Sequence, residues 1–482
     1  MQLKANWFFW GLAGIVIARL FSMAAVPLMD PSEPRYAEIA RLMVQTGDWI
    51  TPWFEPGVPF WGKPPLSFWS QALGMRILGE SEFAVRLPSF LAMAALAALL
   101  YRAATLLFSR ETARWATLML STMLLPQVAA GAVLTDPFFA LGVTYSMLAF
   151  IVAPTTPTKF WRYGFFIGLA IGLLSKGPLT FVLVGLVVIP WLAIYRERTV
   201  HLTVLPWFTG TLVMLVLTVP WYLCAEIKTP GFLQYFLVGE HFLRFVDAGW
   251  QGDLYGTAHK SPLGSIWWQW LLASLPWGIM GGGLLAVWIG ASASRRSKAF
   301  EVHKSPVVGY LALWAIAAPV FFTFSGNILW TYVLPSLPAL ALLISIYAQA
   351  FLPAGNAPPL SRILIGAAGL VPIVAISLGV ISLMAPTTLM TEKELVAVAR
   401  SQMSDGKKLY FVDSRPFSAR FYSDGKAELI ALGELEDLAL QKGESAIVAI
   451  PKKKESSIAG SVRARLVEMY KSRRYTLYRF NG

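Results

Sequence analysis

Residues 7–36 read WFFWGLAGIVIARLFSMAAVPLMDPSEPRY, an apolar run followed at once by Asp30, Glu33 and Arg35. The run 7–28 is long enough to cross a bilayer, because a helix needs about twenty mostly apolar residues to span the hydrocarbon core. Its basic start is also typical of a cleaved signal peptide, but no A-x-A-like site clearly precedes the polar residues and many apolar runs follow. We therefore predict a retained first span that ends beside a charged surface segment.

The composition is that of a membrane protein. Of the 482 residues, 56% are hydrophobic and 14% are charged, against about 25% charged residues in soluble globular proteins. The formal net charge of +13 is first expected in cytoplasmic loops. No basic-aromatic tract accompanies the charge, so no nucleic-acid partner is expected. The single cysteine, Cys224, excludes an internal disulfide.

Apolar runs of spanning length recur up to residue 384. We predict a polytopic α-helical membrane protein of about 11 to 13 spans, because the Gly/Pro-interrupted regions 112–153 and 161–195 can be divided in more than one way. The runs lie near 7–28, 83–108, 112–129, 135–153, 161–175, 177–195, 203–223, 265–292, 307–324, 328–350 and 361–384.

The distribution of basic residues predicts the orientation, since short cytoplasmic loops are rich in Lys and Arg. With the N-terminus inside, every inner connection is basic: Arg110 and Arg114, Lys159 and Arg162, Arg196 and Arg198, the group Arg295, Arg296, Lys298 and Lys304, and Arg362. The long segments 29–82 and 224–264, the tight connections near Asp136, Lys176 and Asn327, and the tail after residue 385 then face the outside. These segments hold the unusual polar residues, so we expect the chemistry on the outer side.

The C-terminal residues 385–482 change in character. The short runs KKLYFVD, AELIAL, SAIVAI and YTLYRF are typical of strands, and 433–441 and 455–470 are predicted helices. Strands alternating with helices favour a small α/β unit. We therefore expect a transmembrane domain over 1–384 and an extracytoplasmic α/β domain over 385–482.

A short amphipathic helix is predicted directly after the first span. Ser32 can cap it, the apolar residues Tyr36, Ile39, Ala40 and Met43 recur at helical spacing, and Gly47 can end it. This places Asp30 and Glu33 where the helix meets the span. A simpler interpretation is that both carboxylates only favour a helix N-terminus, which is worth about 0.3–1 kcal/mol each.

Further polar residues stand at the same predicted side of the membrane. The motifs are PFWGKPPLSFW with Lys63, LTDPFFA with Asp136, LLSKGPLTF with Lys176, GEHFLRFVD with Glu240, His241 and Arg244, and SGNILWTYVLP with Asn327 and Tyr332. Each motif alone can be a loop anchor. Together, carboxylates and several cations at a membrane boundary are what a reaction on a phosphorylated lipid requires.

The chemistry of such a reaction assigns roles to these residues. A sugar on a polyprenyl phosphate is already activated, but the departing phosphate needs fixed positive groups. Lys63, Lys176 and Arg244 suit that task. A carboxylate near the anomeric carbon then orients or deprotonates the acceptor hydroxyl, and we assign this to Asp30 in a single inverting displacement. Asp136 would orient a cation or the acceptor.

Seven motifs carry a family resemblance. The motifs EPRYAEIARLMVQTGDWITP, KPPLSFW, VRLPS, LTDPF, SKGPL, EHFLRF and TYVLP follow in order between about residues 28 and 340. They resemble those of bacterial membrane glycosyltransferases of the aminoarabinose-transferase type, within the protein O-mannosyltransferase-like group of the glycosyltransferase C superfold. The resemblance implies transfer of a sugar from an undecaprenyl phosphate donor, on the periplasmic face of the inner membrane, to lipid A or another envelope glycan.

The resemblance also implies a set of site residues. The catalytic candidates are Asp30, Glu33 and Asp136, the donor-phosphate candidates are Arg35, Lys63, Lys176 and Arg244, and the other pocket residues are Tyr36, Glu240, His241 and Tyr332. No cofactor is required, the partners are membrane lipids and the donor and acceptor, and a monomer is expected.

Three departures from the family pattern bear on these roles. Ser32 stands where an Asp is usual, so that Asp30 or Glu33 would take its role. Gly62 replaces a Glu that resembles one half of a metal-binding pair with His241, which weakens the case for a divalent metal and leaves His241 as the one candidate ligand. The sequence GNILWTY lacks a usual lysine. These departures argue against assuming aminoarabinose as the sugar.

Other function classes remain as alternatives. A transporter or flippase of lipid-linked sugars should carry ionisable residues at mid-span and often shows internal repeats, whereas here such residues lie at the outer ends and no repeat is visible. A structural or assembly protein gives no reason for the polar cluster. Within the enzymes, the alternative is a protein O-glycosyltransferase.

Overall fold

A computed structural model describes residues 6–247, 250–256, 260–290, 305–351, 358–402, 408–435 and 446–480. Helices dominate up to residue 388. Their bounds are Trp7–Ala25, Ser32–Thr46, Leu66–Leu78, Glu82–Leu107, Arg110–Thr122, Leu124–Ala129, Asp136–Val152, Lys159–Lys176, Leu179–Ile194, Arg196–Arg198, Val200–Thr203, Trp207–Lys228, Gln234–Leu243, Arg244–Val246, Ser265–Ala273, Trp277–Gly290, Pro306–Phe322, Trp330–Ser336, Leu337–Phe351, Pro358–Met384 and Pro386–Thr388.

Several of these helices can cross a membrane. Among the described residues, five are long and apolar enough, and a sixth is counted if the bent pair Leu179–Ile194 and Arg196–Thr203 is one span. The five are Trp7–Ala25, Glu82–Leu107, Trp207–Lys228, Trp330–Ala350 and Gly366–Met384. Shorter apolar helices are Asp136–Val152, Trp277–Ala286 and Pro306–Phe322. The count of 11 to 13 stays a prediction.

Three predicted spans are interrupted. The run 112–129 divides at Met123, and 265–292 divides where Ser274, Leu275 and Pro276 separate two helices. The two breaks meet, because the backbone N–H of Leu124 donates to the carbonyl of Leu275 at 2.8 Å. The run 328–350 begins as a 3₁₀-helix, Trp330–Ser336, which contains Pro335. Proline lacks an N–H and clashes with the preceding turn, so it disfavours a continuous α-helix.

Helices Asp136–Val152 and Lys159–Lys176 form a tightly packed hairpin. A methyl group added at Gly142 would lie 2.6 Å from the backbone N of Gly172, so the two backbones touch as small residues allow in membrane helices. The antiparallel arrangement brings the first residue of one helix, Asp136, beside the last residue of the other, Lys176.

The first outer segment carries the predicted amphipathic helix, Ser32–Thr46, followed by the two-stranded hairpin of β1 (Trp53–Glu55) and β2 (Val58–Pro59). The helix ends at Gly47, whose φ of 69° is left-handed, as glycine permits. The prediction of a Ser32 cap was wrong. The helix starts at Ser32, after Pro31, and no side chain caps it.

The C-terminal part contains the helix Lys393–Gln402, the strands β3 (Leu409–Val412), β4 (Ala427–Ile430), β5 (Ile447–Pro451), β6 (Leu466–Lys471) and β7 (Tyr475–Phe480), and the short helices Phe417–Tyr422, Lys452–Ser457 and Gly460–Arg463. The sheet order is β4-β3-β5-β7-β6. The β4-β3-β5 pairs are parallel and the β5-β7-β6 pairs are antiparallel.

One predicted element of this part was wrong. The region 455–470, expected to be helical, includes β6, which pairs with β7. The strand is half exposed, as is usual for an edge, and its charged residues hide the strand pattern. The predicted helix 433–441 falls largely outside the described residues, as do Arg295, Arg296, Lys298 and Lys304.

Polar contacts join the sheet-bearing part to the first outer segment. Arg415 and Arg420 both pair with Glu55, and Lys393 pairs with Glu82 at 2.6 Å. The backbone N–H of Asp30 donates to the carbonyl of Met390 at 2.9 Å. The C-terminal strands and the residues next to the first span therefore share one interface.

Candidate functional site

A polar cavity of about 190 Å³ lies where several separated segments meet. Cations and carboxylates line it beside aromatic rings, so it offers both charge and flat apolar surface. The lining includes Ser32, Arg35, Tyr36, Gly62, Lys63, Asp136, Lys176, Glu240, Arg244, Asp253, Tyr255, Tyr332 and Phe417. The structure thus brings together all four predicted cations, Asp136, Glu240 and both predicted tyrosines.

A second cavity of about 160 Å³ adjoins the first. The two share one wall, which we call the shared wall: Lys63, Lys176, Glu240, Arg244 and Tyr332. The rest of the second cavity is mainly apolar and includes Leu179, Val182, Phe245, Phe321 and Phe322. Fixed charge therefore borders an apolar surface, an arrangement suited to a lipid with a charged head.

Lys176 and Asp136 form a buried ion pair in the polar cavity. The Lys176 Nζ donates to Asp136 Oδ1 at 2.6 Å, and both side chains are less than 10% exposed. The Lys176 Nζ also lies 4.7 Å from the centre of the Tyr332 ring. Gly177 ends the helix with φ 66°, and a methyl group there would lie 2.7 Å from the Phe236 ring. Glycine adopts this left-handed conformation without strain and leaves room for the ring, so the glycine of SKGP suits this turn.

Glu240 holds the other two cations of the shared wall. It accepts from Lys63 Nζ at 3.3 Å and from Arg244 Nη1 at 3.1 Å, and the hydroxyl of Tyr235 also donates to it. Burial would raise the pKa of Glu240, but the charges of Lys63 and Arg244 hold this pKa below its ordinary value. The group is therefore a carboxylate at neutral pH, and it positions both cations.

The residues 234–243 form a π-helix, a rare form that occurs at functional sites. His241 lies within it, with Nδ1 2.7 Å from the Phe236 carbonyl and Nε2 2.8 Å from the Lys176 carbonyl. Both ring nitrogens therefore lie within hydrogen-bonding distance of a backbone carbonyl, and the neutral imidazole donates to one of the two. Within the described ranges no three His, Cys, Asp or Glu side chains are grouped to hold a metal.

The structure does not bring Asp30 into either cavity. Its carboxylate, 5% exposed, accepts from the side chain of Arg474 and from the backbone N–H and hydroxyl of Ser418. These partners lie in the C-terminal part, which sequence reasoning had no means to place. The geometry therefore gives no support to Asp30 as the base.

Glu33 is likewise outside the cavity. Both its oxygens accept from Arg86, at 2.9 Å and 2.7 Å, and it also accepts from the backbone N–H groups of Met29 and Val133. Arg86 is 2% exposed. An arginine in a membrane span indicates that its partner lies close by. Arg86 stands in the VRLPS motif, but the sequence analysis assigned it no role.

Arg35 occupies a different part of the polar cavity from the shared wall. Its Nη1 donates to the Tyr255 carbonyl at 3.0 Å, and its guanidinium lies 5.1 Å from the Tyr36 ring and 5.6 Å from the Phe417 ring. Among the described residues it has no carboxylate partner, and its buried Nε has no hydrogen-bond partner.

Three lining residues were missed in the sequence. Asp253 lies 3.4 Å from Arg244 and accepts from the backbone N–H of Tyr255 at 3.0 Å. The hydroxyl of Tyr255 donates to the Pro59 carbonyl at 2.7 Å and accepts from the Trp61 N–H. Phe417 comes from the C-terminal part. None stands in a motif that the sequence analysis singled out.

Sequence comparisons find related transferases. Residues 20–236 match the family model of dolichyl-phosphate-mannose-protein mannosyltransferases. An undecaprenyl phosphate-alpha-4-amino-4-deoxy-L-arabinose arabinosyl transferase of Yersinia pestis is 33% identical over 344 residues, which cover 69% of this chain and 57% of the relative. The corresponding protein of Yersinia enterocolitica is 31% identical over 334 residues, covering 67% and 55%. The chain thus matches a little over half the length of these curated relatives.

The predicted family resemblance is confirmed. The fold agrees with it: ArnT from Cupriavidus metallidurans, crystallised with undecaprenyl phosphate, superimposes with a TM-score of 0.78 at 17% identity, covering 99% of this chain and 98% of that one. The apo oligosaccharyltransferase of Archaeoglobus fulgidus gives 0.51 at 12% identity, covering 93% and 71%. The chain is a polytopic helical membrane protein that shares its fold with these transferases.

Proposed function

We propose that this protein is a membrane glycosyltransferase that moves a sugar from an undecaprenyl phosphate donor to an acceptor at the periplasmic face of the bacterial inner membrane. The observation that carries the proposal is the shared wall, where Lys63, Lys176 and Arg244 separate a polar cavity from an apolar one. The names of the related arabinosyl transferases support the donor class, as does the undecaprenyl phosphate bound to the ArnT structure.

The donor phosphate is held at the shared wall, with its prenyl chain along the apolar cavity. Arginine and lysine donate charge-assisted hydrogen bonds to phosphate oxygens, and they stabilise the charge that develops as the phosphate leaves. Glu240 keeps Lys63 and Arg244 on this wall. The sugar then lies in the polar cavity, beside Asp136.

Asp136 replaces Asp30 as the proposed base. It is a carboxylate that reaches the polar cavity, and its contact with Lys176 links the base to the phosphate site. The acceptor oxygen attacks the anomeric carbon, its proton passes to Asp136, and the bond from that carbon to the phosphate oxygen breaks. The electron pair leaves with undecaprenyl phosphate, and the configuration at the anomeric carbon inverts.

The proposed domains follow from the predicted orientation, in which the N-terminus lies in the cytoplasm. Residues 1–384 form the transferase domain, with 29–82 and 224–264 in the periplasm, and residues 385–482 form a periplasmic α/β domain. The acceptor is lipid A or another envelope glycan, and the alternative acceptor is a protein hydroxyl. Mass spectrometry of envelope lipids, glycans and proteins from cells with and without the chain distinguishes the two.

Binding of undecaprenyl phosphate to the purified full chain in nanodiscs tests the proposal. Lys63→Gln and Arg244→Gln should each weaken this binding about 10- to 100-fold, because each removes a charge-assisted hydrogen bond worth about 1.5–3 kcal/mol. Lys159→Gln, at an exposed position of another helix, is the matched control and should bind as the wild type does.

Two results would contradict the proposal. One is equal binding of undecaprenyl phosphate by all three variants. The other is transbilayer movement of a lipid-linked sugar in vesicles with no product formed, which would favour the flippase alternative.

A further inference from the structure

Arg19 is a charged residue inside the first predicted span. It lies in the helix Trp7–Ala25, six residues before the last one, which is about 9 Å along the axis, and its side chain is half-buried. An ionisable residue inside a membrane is costly and normally has a partner or a function. Neither the sequence motifs nor the proposed mechanism gives Arg19 a role, and it lines neither the polar nor the apolar cavity.

The hydrogen bonds of Arg19 leave its charge without a counter-ion. Nη1 donates to the Ser22 hydroxyl at 3.3 Å and Nη2 donates to the Val128 carbonyl at 3.1 Å, so both acceptors are neutral. The Nε is buried and has no hydrogen-bond partner. The carboxylate of Glu33 acts on Arg19 electrostatically, but both its oxygens accept from Arg86. Arg19 therefore has a charge and donors to offer to an anion.

A third cavity, of about 370 Å³, begins beside Arg19. Along the first span its lining runs from Phe8 to Arg19, eleven positions apart, or about 16 Å. The opposite side is formed by the helix Glu82–Leu107, where three alanines leave the space open: Ala94, Ala97 and Ala98. The cavity is thus long and mainly apolar, and Arg19 is the only charged residue among the described residues that line it.

Two more residues of this lining have polar atoms without partners. The Thr117 hydroxyl and the Gln127 Oε1 are buried and form no hydrogen bond with the described residues. Buried polar atoms that lack a partner are costly, and three of them, counting the Arg19 Nε, surround one cavity. A ligand with a polar head and a long hydrocarbon chain fits both the unpaired atoms and the apolar length.

We propose that the third cavity binds one anionic phospholipid of the bilayer, whose phosphate accepts from Arg19 and whose acyl chain lies along the alanines. Arginine donates charge-assisted hydrogen bonds to phosphate, and such pairing offsets the cost of a buried charge. A head group without a cation of its own leaves its whole charge to Arg19, which favours an anionic lipid over a zwitterionic one. The site is separate from the donor site, because the lining shares no residue with the other two cavities.

Native mass spectrometry of the purified full chain tests this site. The protein is delipidated in detergent and titrated separately with phosphatidylglycerol, which is anionic, with phosphatidylcholine, which is zwitterionic, and with undecaprenyl phosphate. The wild type should bind one phosphatidylglycerol more tightly than phosphatidylcholine. Its melting midpoint should also rise with the concentration of phosphatidylglycerol, because a ligand that binds the folded state stabilises it.

Removing the cation should weaken the binding of phosphatidylglycerol. For Arg19→Gln we expect a loss of about tenfold, as the loss of a charge-assisted hydrogen bond implies. Arg102→Gln is the matched control, since Arg102 is an exposed arginine of another span and does not line the cavity. This variant loses the same charge and should bind phosphatidylglycerol as the wild type does.

Filling the cavity should have a similar effect while the charge is kept. Ala98→Leu places a larger side chain where the acyl chain lies, so it should also weaken phosphatidylglycerol binding about tenfold. Ala95→Leu is the matched control, because Ala95 is an exposed alanine of the same helix that does not line the cavity. The binding of undecaprenyl phosphate should change less than about twofold in all four variants, since the sites are separate.

The inference is overturned if the wild type binds phosphatidylglycerol no better than phosphatidylcholine, or if either Arg19→Gln or Ala98→Leu binds it as its control does. An equal loss of undecaprenyl phosphate binding in a folded Arg19→Gln would also overturn it, because the cavity would then belong to the donor site. Size exclusion reports folding. Should Arg19→Gln not elute as a folded protein, the comparison of Ala98→Leu with Ala95→Leu decides the outcome.

Discussion

Two groups of paired charges in this protein differ in what their hydrogen bonds leave open. The Glu33–Arg86 pair is closed: all five guanidinium N–H groups have partners, two on Glu33 and the others on the carbonyls of Met23, Val26 and Pro27. The charges of the shared wall face two cavities instead.

This difference separates a structural ion pair from a binding site made of the same residue types. A buried charge is tolerated when it is paired and its remaining donors are bonded, and the closed pair meets that condition completely. Lys63, Lys176 and Arg244 are held by carboxylates yet still line open space, so a phosphate can add to their contacts. Saturation of hydrogen bonds, and not the presence of charge, distinguishes the two groups.

Arg86→Ala should have the largest effect, because it leaves Glu33 buried without its partner. Breaking a buried pair in this way costs about 3–5 kcal/mol, so we expect little folded protein. Fluorescence-detected size exclusion after heating measures the loss. Arg76→Ala, at an exposed position, is the control, and a melting midpoint of Arg86→Ala equal to that of the control would remove the distinction between closed and open groups.

Asp136→Asn should keep the fold and lose turnover. The amide oxygen still accepts from Lys176, but it cannot take a proton, so transfer to a hydroxyl should fall about 10²–10⁴-fold. Product formation by purified protein, with undecaprenyl phosphate binding measured alongside, separates the two effects. Wild-type turnover by Asp136→Asn would transfer the base role to Asp253, the other aspartate that lines the cavity.

Glu55→Gln should have the smallest effect. Of its two partners, Arg415 and Arg420, Arg420 is 6% exposed, but Glu55 itself is 37% exposed, and the amide of Gln keeps an oxygen that accepts from both arginines. The loss should therefore stay at about 0.2–1 kcal/mol, as in solvent-screened pairs. We expect a slightly lower melting midpoint and no change in undecaprenyl phosphate binding. A fall as large as that of Arg86→Ala would show that the interface of the C-terminal part depends on this contact.

Much of the site could be predicted from local sequence. Asp136 begins one helix and Lys176 ends the next, and a helical hairpin brings such ends together whatever the details of packing. Lys63 follows Gly62 and precedes two prolines, and Glu240 and Arg244 are separated by one helical turn. The rule that short cytoplasmic loops are basic then predicts that all of these residues lie on the outer side of the membrane.

The sequence by itself determined the membrane character, the helical hairpin of Asp136 and Lys176 and the four strands with apolar runs, because each depends on apolar length or on residues near in the chain. Only the tertiary structure decided that Asp30 pairs with Arg474 and Ser418, that Glu33 is enclosed by Arg86, and that Phe417 completes the cavity. These partners are separated by tens to hundreds of positions in the chain. A carboxylate near the membrane looks the same in sequence whether it is satisfied by a distant guanidinium or faces an open cavity, and only packing settles which partner it meets.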